Sequence, residues 1–201
     1  MTTAQTIRPQ ALRYLAIALG LVVLQTAILF WMIESRAGIL RSGEEIVLKT
    51  APVDPRDLLR GDYVILSYDV STIPAALITG ERPAEAGWQV MQVRLKPGAD
   101  GFWTVAEASF GTLAPEAGSV VLKTQRFYHY GGSDLAPGSD ASIGVEYGLE
   151  RFYVPEGEGR EIETGRNAGE VAVVARVGSG GKAQIRELRM DGVALYQEPL
   201  Y

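Results

Sequence analysis

Hydrophobic and polar positions follow two different patterns along this chain. From Tyr14 to Ile33 no charged residue interrupts the apolar run, and Gln25 and Thr26 do not make a polar face. A helix rises 1.5 Å per residue, so the run is about 30 Å long, the thickness of a bilayer core. It predicts one transmembrane helix over 14–33, after a polar, disordered tail at 1–13 and before a short linker at 34–43. From 44 to 201 the pattern changes to short stretches of alternation between glycine, proline and aspartate turns, which predicts strands. Glu45–Thr50 sets Ile46 and Leu48 on one face. Tyr63–Val70 is aromatic and β-branched and reads as one strand. Thr72–Gly87 carries Pro74, Gly80, Pro83 and Gly87 and is mostly loop, with at most one helical turn at Pro74–Ile78.

Trp88–Lys96 alternates strictly. Trp88, Val90, Gln92 and Arg94 face one way; Gln89, Met91, Val93 and Leu95 face the other. The turn at 97–101 returns the chain into Phe102–Ala108 as a β-hairpin. Ser119–Tyr130 is extended, Gly131–Ser142 is an exposed loop, and Ile143–Val154 is a further strand. Pro155–Gly159 breaks it. Arg160–Arg166 predicts a short helix whose acidic start complements the helix dipole. Glu170–Val177 and Lys182–Met190 flank Gly178-Ser179-Gly180-Gly181, the clearest hairpin signal in the chain. Asp191-Gly192 turns the chain again, into Val193–Tyr196. Strands recur about every ten residues, and no long amphipathic helix follows the apolar run. The predicted class is therefore mainly β: an antiparallel sandwich or partly closed barrel with short helical turns, preceded by one N-terminal transmembrane helix.

Charge gives the apolar run a direction. Arg8 and Arg13 precede it, Glu34 follows it, and all 24 Asp and Glu residues lie beyond it. The positive-inside rule places the N-terminus in the cytoplasm and the β domain outside. Tyr14 at one end and Phe30 and Trp31 at the other suit the two membrane interfaces. A cleaved signal peptide is the competing reading, with Ser35-Arg36-Ala37 as a weak site; its apolar region would normally be shorter, about 7–15 residues. Gln25 and Thr26 are either tolerated in lipid or bonded to a neighbouring membrane helix. The net charge of −5 argues against nucleic acid as a partner, which needs a basic footprint. Cysteine is absent, which excludes thiol catalysis and thiolate metal sites.

One stretch organises the rest. Asp54 can cap a helical turn that starts with Pro55 and runs through Arg56, Asp57 and two leucines to Arg60. Gly61 suits a left-handed stop. The β-rich run then begins at Asp62 and Tyr63. Tyr63 and Tyr68 are five positions apart, so in a strand they point to opposite faces; one packs inside with its hydroxyl bonded, and the other faces outward.

Gly61, Asp62, Tyr63, Leu66 and Tyr68 fit the spaced pattern that names the GDYXXLXY family, and Pro52–Arg60 resembles that family's lead-in. Tyr147 to Gly157, which includes Glu150, Pro155, Glu156 and Gly157, resembles its second signature. The resemblance covers most of the chain after about residue 44. It implies a bacterial, membrane-anchored protein of the cytoplasmic membrane, with no catalytic residues to carry over. It also implies a multispanning membrane protein as partner, since members are commonly encoded near such proteins.

Other candidates for chemistry are weaker. His129 is the single histidine and lies in an aromatic strand, where a structural role is expected. Glu156, Glu158, Glu161 and Glu163 lack the spacing of a calcium loop and read as a solvated acidic helix start. Arg60-Gly61-Asp62 spells an adhesion tripeptide, but Gly61 and Asp62 have local work to do. Arg60–Val64 resembles the Gly-Asp before an apolar strand in signal peptidases. The Ser nucleophile and Lys base of those enzymes are missing, and Lys123 is the nearest lysine to a suitable place. No cofactor, metal or catalytic residue is expected. The preferred reading is a non-catalytic accessory or interaction partner of another membrane protein. The alternatives are a hydrolase that uses Asp62 or the 156–163 carboxylates, and a small-ligand module on a signal-peptidase-like β scaffold. Two carboxylates in one cleft would favour the enzyme; solvated or Arg-paired carboxylates would favour the accessory protein.

Overall fold

The computed structural model describes residues 9–52, 63–131, 135, 139–155 and 159–199. The chain divides into two compact units, Met1–Gly38 and Ile39–Tyr201. Helix α1 runs Pro9–Ser42, and its Leu12–Ser42 part is long and apolar enough to cross a membrane. The helix has begun by Pro9, within the expected tail, and continues past Ile33 through the expected linker. Residues 34–42 carry no proline, and extending a nucleated helix costs little. The stop comes at Gly43, whose N–H donates to the Ile39 carbonyl at 2.8 Å. A Cβ there would lie 2.5 Å from that oxygen and 3.0 Å from the Val177 backbone, so only glycine fits.

The second unit is built from short strands. In chain order they are β1 (Glu44–Ala51), β2 (Tyr63–Ile65), β3 (Ser67–Tyr68), β4 (Thr72–Pro74), β5 (Ile78–Thr79), β6 (Gly87–Gln89), β7 (Gln92–Pro97) and β8 (Trp103–Ser109). Then follow β9 (Val120–Lys123), β10 (Phe127–His129), β11 (Ser142–Gly144), β12 (Arg151–Tyr153), helix α2 (Gly159–Ala168), β13 (Val171–Val177), β14 (Ala183–Met190) and β15 (Val193–Gln197). A five-stranded sheet has the order β15-β14-β13-β1-β3, and a four-stranded sheet the order β5-β8-β7-β9. Two-stranded ribbons pair β10 with β6, β11 with β4 and β12 with β2. Among the described residues the class is mainly β and no sheet closes into a barrel. One pairing departs from the antiparallel expectation: β5 runs parallel to β8.

The predicted hairpins form where turn chemistry asked for them. β7 returns as β8 through Gly98 and Gly101, the latter at φ +85. β13 returns as β14 through Gly178–Gly181, with the Gly178 N–H donating to the Lys182 carbonyl at 2.9 Å. β14 turns into β15 through Asp191 (φ 50) and Gly192 (φ 78), the left-handed pair that matches strand twist. The Arg160–Arg166 helix is present, extended to Gly159–Ala168.

Four predicted long strands are split. Tyr63–Val70 breaks at Leu66 and ends in a 3₁₀ turn at Asp69–Ser71. Trp88–Lys96 breaks before β7, Ser119–Tyr130 becomes β9 and β10, and Ile143–Val154 becomes β11 and β12. The reason is a change of partner. β2 pairs with β12, but β3, two residues on, pairs with β1. Alternation continues unbroken through the switch: Val64, Leu66, Tyr68 and Val70 are all buried. Thr72–Gly87 is also more regular than expected, with β4, β5 and a 3₁₀ turn at Ala75–Leu77. Ile73, Ala75 and Ile78 bury themselves there. Both larger sheets feed one core: Ile46, Leu48, Val173 and Leu188 from one, Val93, Leu95, Ala108 and Leu122 from the other. Each such side chain contributes about 1.5–3 kcal/mol by leaving water.

Candidate functional site

The two signature segments are far apart in sequence and lie against each other in the fold. In the β2–β12 ribbon Tyr63 pairs with Tyr153, Val64 with Phe152 and Ile65 with Arg151. Just beyond the ribbon, the Leu66 N–H donates to the Glu150 carbonyl at 2.8 Å. The Tyr68 hydroxyl donates to the Leu149 carbonyl at 2.6 Å, and the Tyr147 hydroxyl to the Val70 carbonyl at 2.6 Å. Each tyrosine thus reaches across to the other segment's backbone. The turn that presents Leu149 is closed by Glu150, whose carboxylate accepts from the N–H groups of Tyr147 (2.6 Å) and Gly148 (2.8 Å). Burial, and then the nearby Glu150 charge, pushes both hydroxyls well above the ordinary tyrosine value.

Helix α2 closes the clamp from a third direction. Arg166 is 1% exposed and donates to the Ile65 carbonyl and to Asn167 Oδ1. Burial lowers its pKa, and Glu163 opposes that shift. Ile162, Gly165 and Arg166 make one buried helix stripe at spacings of three and four, which aims the guanidinium inward. Sequence reasoning missed Tyr147, Leu149 and Arg166 as members of this arrangement. The usable signal was that stripe, with an arginine where an apolar residue is the norm.

Alternation splits the signatures by face. Val64, Leu66, Tyr68, Leu149 and Phe152 point into the core. Tyr63, Ile65, Arg151 and Tyr153 form the outer face of the ribbon, and Tyr153 is 72% exposed. The Tyr63 and Tyr153 rings lie 6.0 Å apart, and the Arg151 guanidinium sits 5.9 Å from the Tyr63 centroid. An exposed cation–π contact of this kind is worth about 0.5–1 kcal/mol. The expected division of Tyr63 and Tyr68 between two faces is what the structure has. Pro155 lies beyond β12 and is exposed. Asp54, Arg56, Asp57, Arg60, Gly61, Asp62, Glu156 and Gly157 lie outside the described residues, so the capped turn and the left-handed Gly61 do as well.

Gly148 holds φ +83, and a Cβ on it would meet the Gln125 side-chain amide at 2.6 Å. Gly148→Ala is expected to cost about 1–3 kcal/mol, read as a lower urea midpoint with unchanged slope. The strain adds to the displacement of Gln125.

The remaining candidates for chemistry divide between packed positions, exposed positions and positions outside the described residues. His129 is buried on the inner face of β10, with its ring 5.8 Å from Phe110. Lys123 is exposed at the end of β9. Glu156 and Glu158 of the acidic cluster lie outside the described residues. Among the described residues no group of three His, Cys, Asp or Glu side chains is placed to hold a metal ion. Among the described residues, Glu107 and Glu116 share an arginine. Arg94 Nε lies 3.0 Å from Glu107 and 3.4 Å from Glu116, and Lys96 lies 2.6 Å from Glu116. The Thr79 hydroxyl also donates to Glu107 at 2.7 Å.

That hydroxyl first, and Arg94 second, hold the Glu107 pKa below the ordinary carboxylate range. A depressed carboxylate stabilises the fold above its unfolded pKa, near 4.3, and loses that contribution as pH falls through the lower folded value. Glu107→Gln is therefore expected to flatten the fall of stability with acid below about pH 4. Urea midpoints measured across the acid range check this.

No curated protein and no solved structure matches the chain. The sequence model of the GDYXXLXY protein family matches residues 25–188, a span that contains the clamp, α2 and both larger sheets' central strands. On that match, and with its two signatures stitched together in the fold, the chain belongs to the GDYXXLXY protein family.

Proposed function

We propose that this protein is a membrane-anchored, non-catalytic interaction module that assists another membrane protein, with the outer face of the β2–β12 ribbon as its docking face. The observation that carries this reading is the division of the signatures by face. Their inward residues are consumed by the clamp, while Ile65, Arg151 and Tyr153 stay at the surface beside Tyr63. Aromatic residues and arginine are the side chains that anchor protein interfaces. The hydrolase alternative rests on Asp62 and the 156–163 carboxylates, of which Asp62, Glu156 and Glu158 lie outside the described residues.

In this reading α1 is an uncleaved signal-anchor of a bacterial cytoplasmic membrane, with the N-terminus in the cytoplasm and the β domain outside. Arg8 and Arg13 ahead of the apolar run, and its aromatic ends, support that orientation. The partner is a multispanning membrane protein. A photo-crosslinking amino acid placed at Tyr153 in the full-length protein, in native membranes, should give one discrete adduct with a membrane protein. Adducts absent at both Tyr153 and Ile65, with normal protein levels, would count against this docking face. Intact mass spectrometry of membrane-extracted protein should retain 14–33; a mature N-terminus near Gly38 would remove the anchor from the proposal.

A further inference from the structure

A second surface, separate from the clamp, carries its own chemistry. In the β6–β10 ribbon the inner face packs Phe127 and His129 on Phe110, at 6.4 and 5.8 Å between rings. The outer face is an aromatic ledge. Trp88 pairs with Tyr128 in register; their rings meet edge to face at 5.6 Å, and Tyr128 meets Tyr130 at 5.1 Å. Trp88 is 61% and Tyr130 84% exposed. These rings add little to the core, yet they are large apolar surfaces held in place by one another.

Arg126 joins the ledge to a pocket. Its guanidinium lies 5.7 Å from the Trp88 ring centroid, and it also lines a cavity of about 470 Å³ with Ser67, Ser71, Thr72, Gln125 and Glu146. That volume is typical of a small-molecule site, about 300–1,000 Å³. Among the described residues the Ser71 hydroxyl beside the pocket is buried and has no hydrogen-bond partner.

We propose that this pocket and the adjoining aromatic ledge bind an extended, uncharged oligosaccharide. The pocket offers hydroxyl, amide, guanidinium and carboxylate groups, donors and acceptors together, with one positive and one negative side chain that balance. A sugar ring presents hydroxyls of both kinds to such a wall and no net charge. Its flat C–H faces suit the exposed rings of Trp88 and Tyr128. A phosphate or other anion would meet Glu146, and the chain's net charge of −5 opposes a polyanion. A lipid tail would leave the polar pocket unsatisfied. One ring occupies the pocket and the next lies along the ledge, with Arg126 between them.

The test uses the full-length protein in a detergent without a sugar head group. Tetra-N-acetylchitotetraose and cellotetraose are titrated while Trp fluorescence and binding heat are followed. At least one of the two should bind saturably. Trp88→Ala and Arg126→Ala should each weaken it about tenfold or more, and Ser71→Ala should weaken it less. Val193→Ser, at an exposed position on β15, should leave it unchanged. Circular dichroism melts of each variant separate lost binding from lost fold. Absence of saturable binding by either oligosaccharide would overturn the proposal. So would binding that Trp88→Ala and Arg126→Ala leave intact, or a Trp88 that responds only to lipid vesicles.

Discussion

Tyr68→Ala is expected to lower the stability of the β domain by about 4 kcal/mol, the largest single loss available in the signature. The side chain is 1% exposed, so truncation leaves a ring-sized cavity in the core. The Leu149 carbonyl, which accepts the hydroxyl at 2.6 Å, is left without that partner. Tyr68→Phe separates the two contributions: it keeps the ring and should cost about 1–2 kcal/mol, the part due to the orphaned carbonyl. The same residue gives an alkaline signature. Its pKa is raised in the fold, so its contribution is complete below the ordinary value of 10.0 and is lost as pH rises beyond it. Urea midpoints of Tyr68→Phe should therefore fall less steeply above about pH 10 than those of the parent. If Tyr68→Ala cost under about 1 kcal/mol, the clamp would not be the structural core of the signature.

Arg94→Leu is expected to cost about 3 kcal/mol, for an electrostatic reason. The Arg94 side chain is 6% exposed and donates to Glu107 (3.0 Å), Ser119 (3.0 Å) and the Ala114 carbonyl (2.7 Å). Removing it strands a carboxylate and a carbonyl together. The value is placed at the lower end of the range for a broken buried pair because the Glu107 side chain is 31% exposed and water reaches it. Arg94→Lys should recover little, since one ammonium cannot reproduce bonds made from three nitrogens of a planar fork. Arg94→Leu combined with Glu107→Leu should be milder than Arg94→Leu alone, because no unpaired charge remains. A double-mutant cycle read by urea unfolding checks this. Equal losses in the single and double variants would mean that packing, not pairing, explains the position of Arg94.

The two largest expected effects involve residues the docking reading does not use. Tyr68 and Arg94 hold the scaffold, whereas Tyr153 and Arg151 sit on its surface. A loss of partner binding through Tyr68→Ala would come with a lower melting temperature. A loss through Tyr153→Ala would leave it unchanged.

Much of this protein was legible without coordinates because the relevant physics is local. An uncharged run about 30 Å long must be an apolar helix wherever it sits. Glycine and aspartate at 178–181 and 191–192 specify tight turns, since few other residues tolerate positive φ, and both hairpins formed there. Alternation set Tyr63 and Tyr68 on opposite faces, as the fold has them, because the side-chain period of a strand is two; which of the two packs inside was decided by the fold. Alternation does not say which strand lies alongside. Tyr63–Val70 reads as one strand, yet it exchanges β12 for β1 in mid-run. Nothing within those residues encodes the exchange: the partners lie at Arg151–Tyr153, far along the chain, on one side and in the preceding strand on the other. The clamp is decided in the same way. Tyr68 and Tyr147 each need a carbonyl on the other's segment, and only folding brings the two together. Arg94 and Arg166, polar in the sequence and buried in the fold, became tolerable at that level alone, where carboxylates and carbonyls from other elements meet their donors.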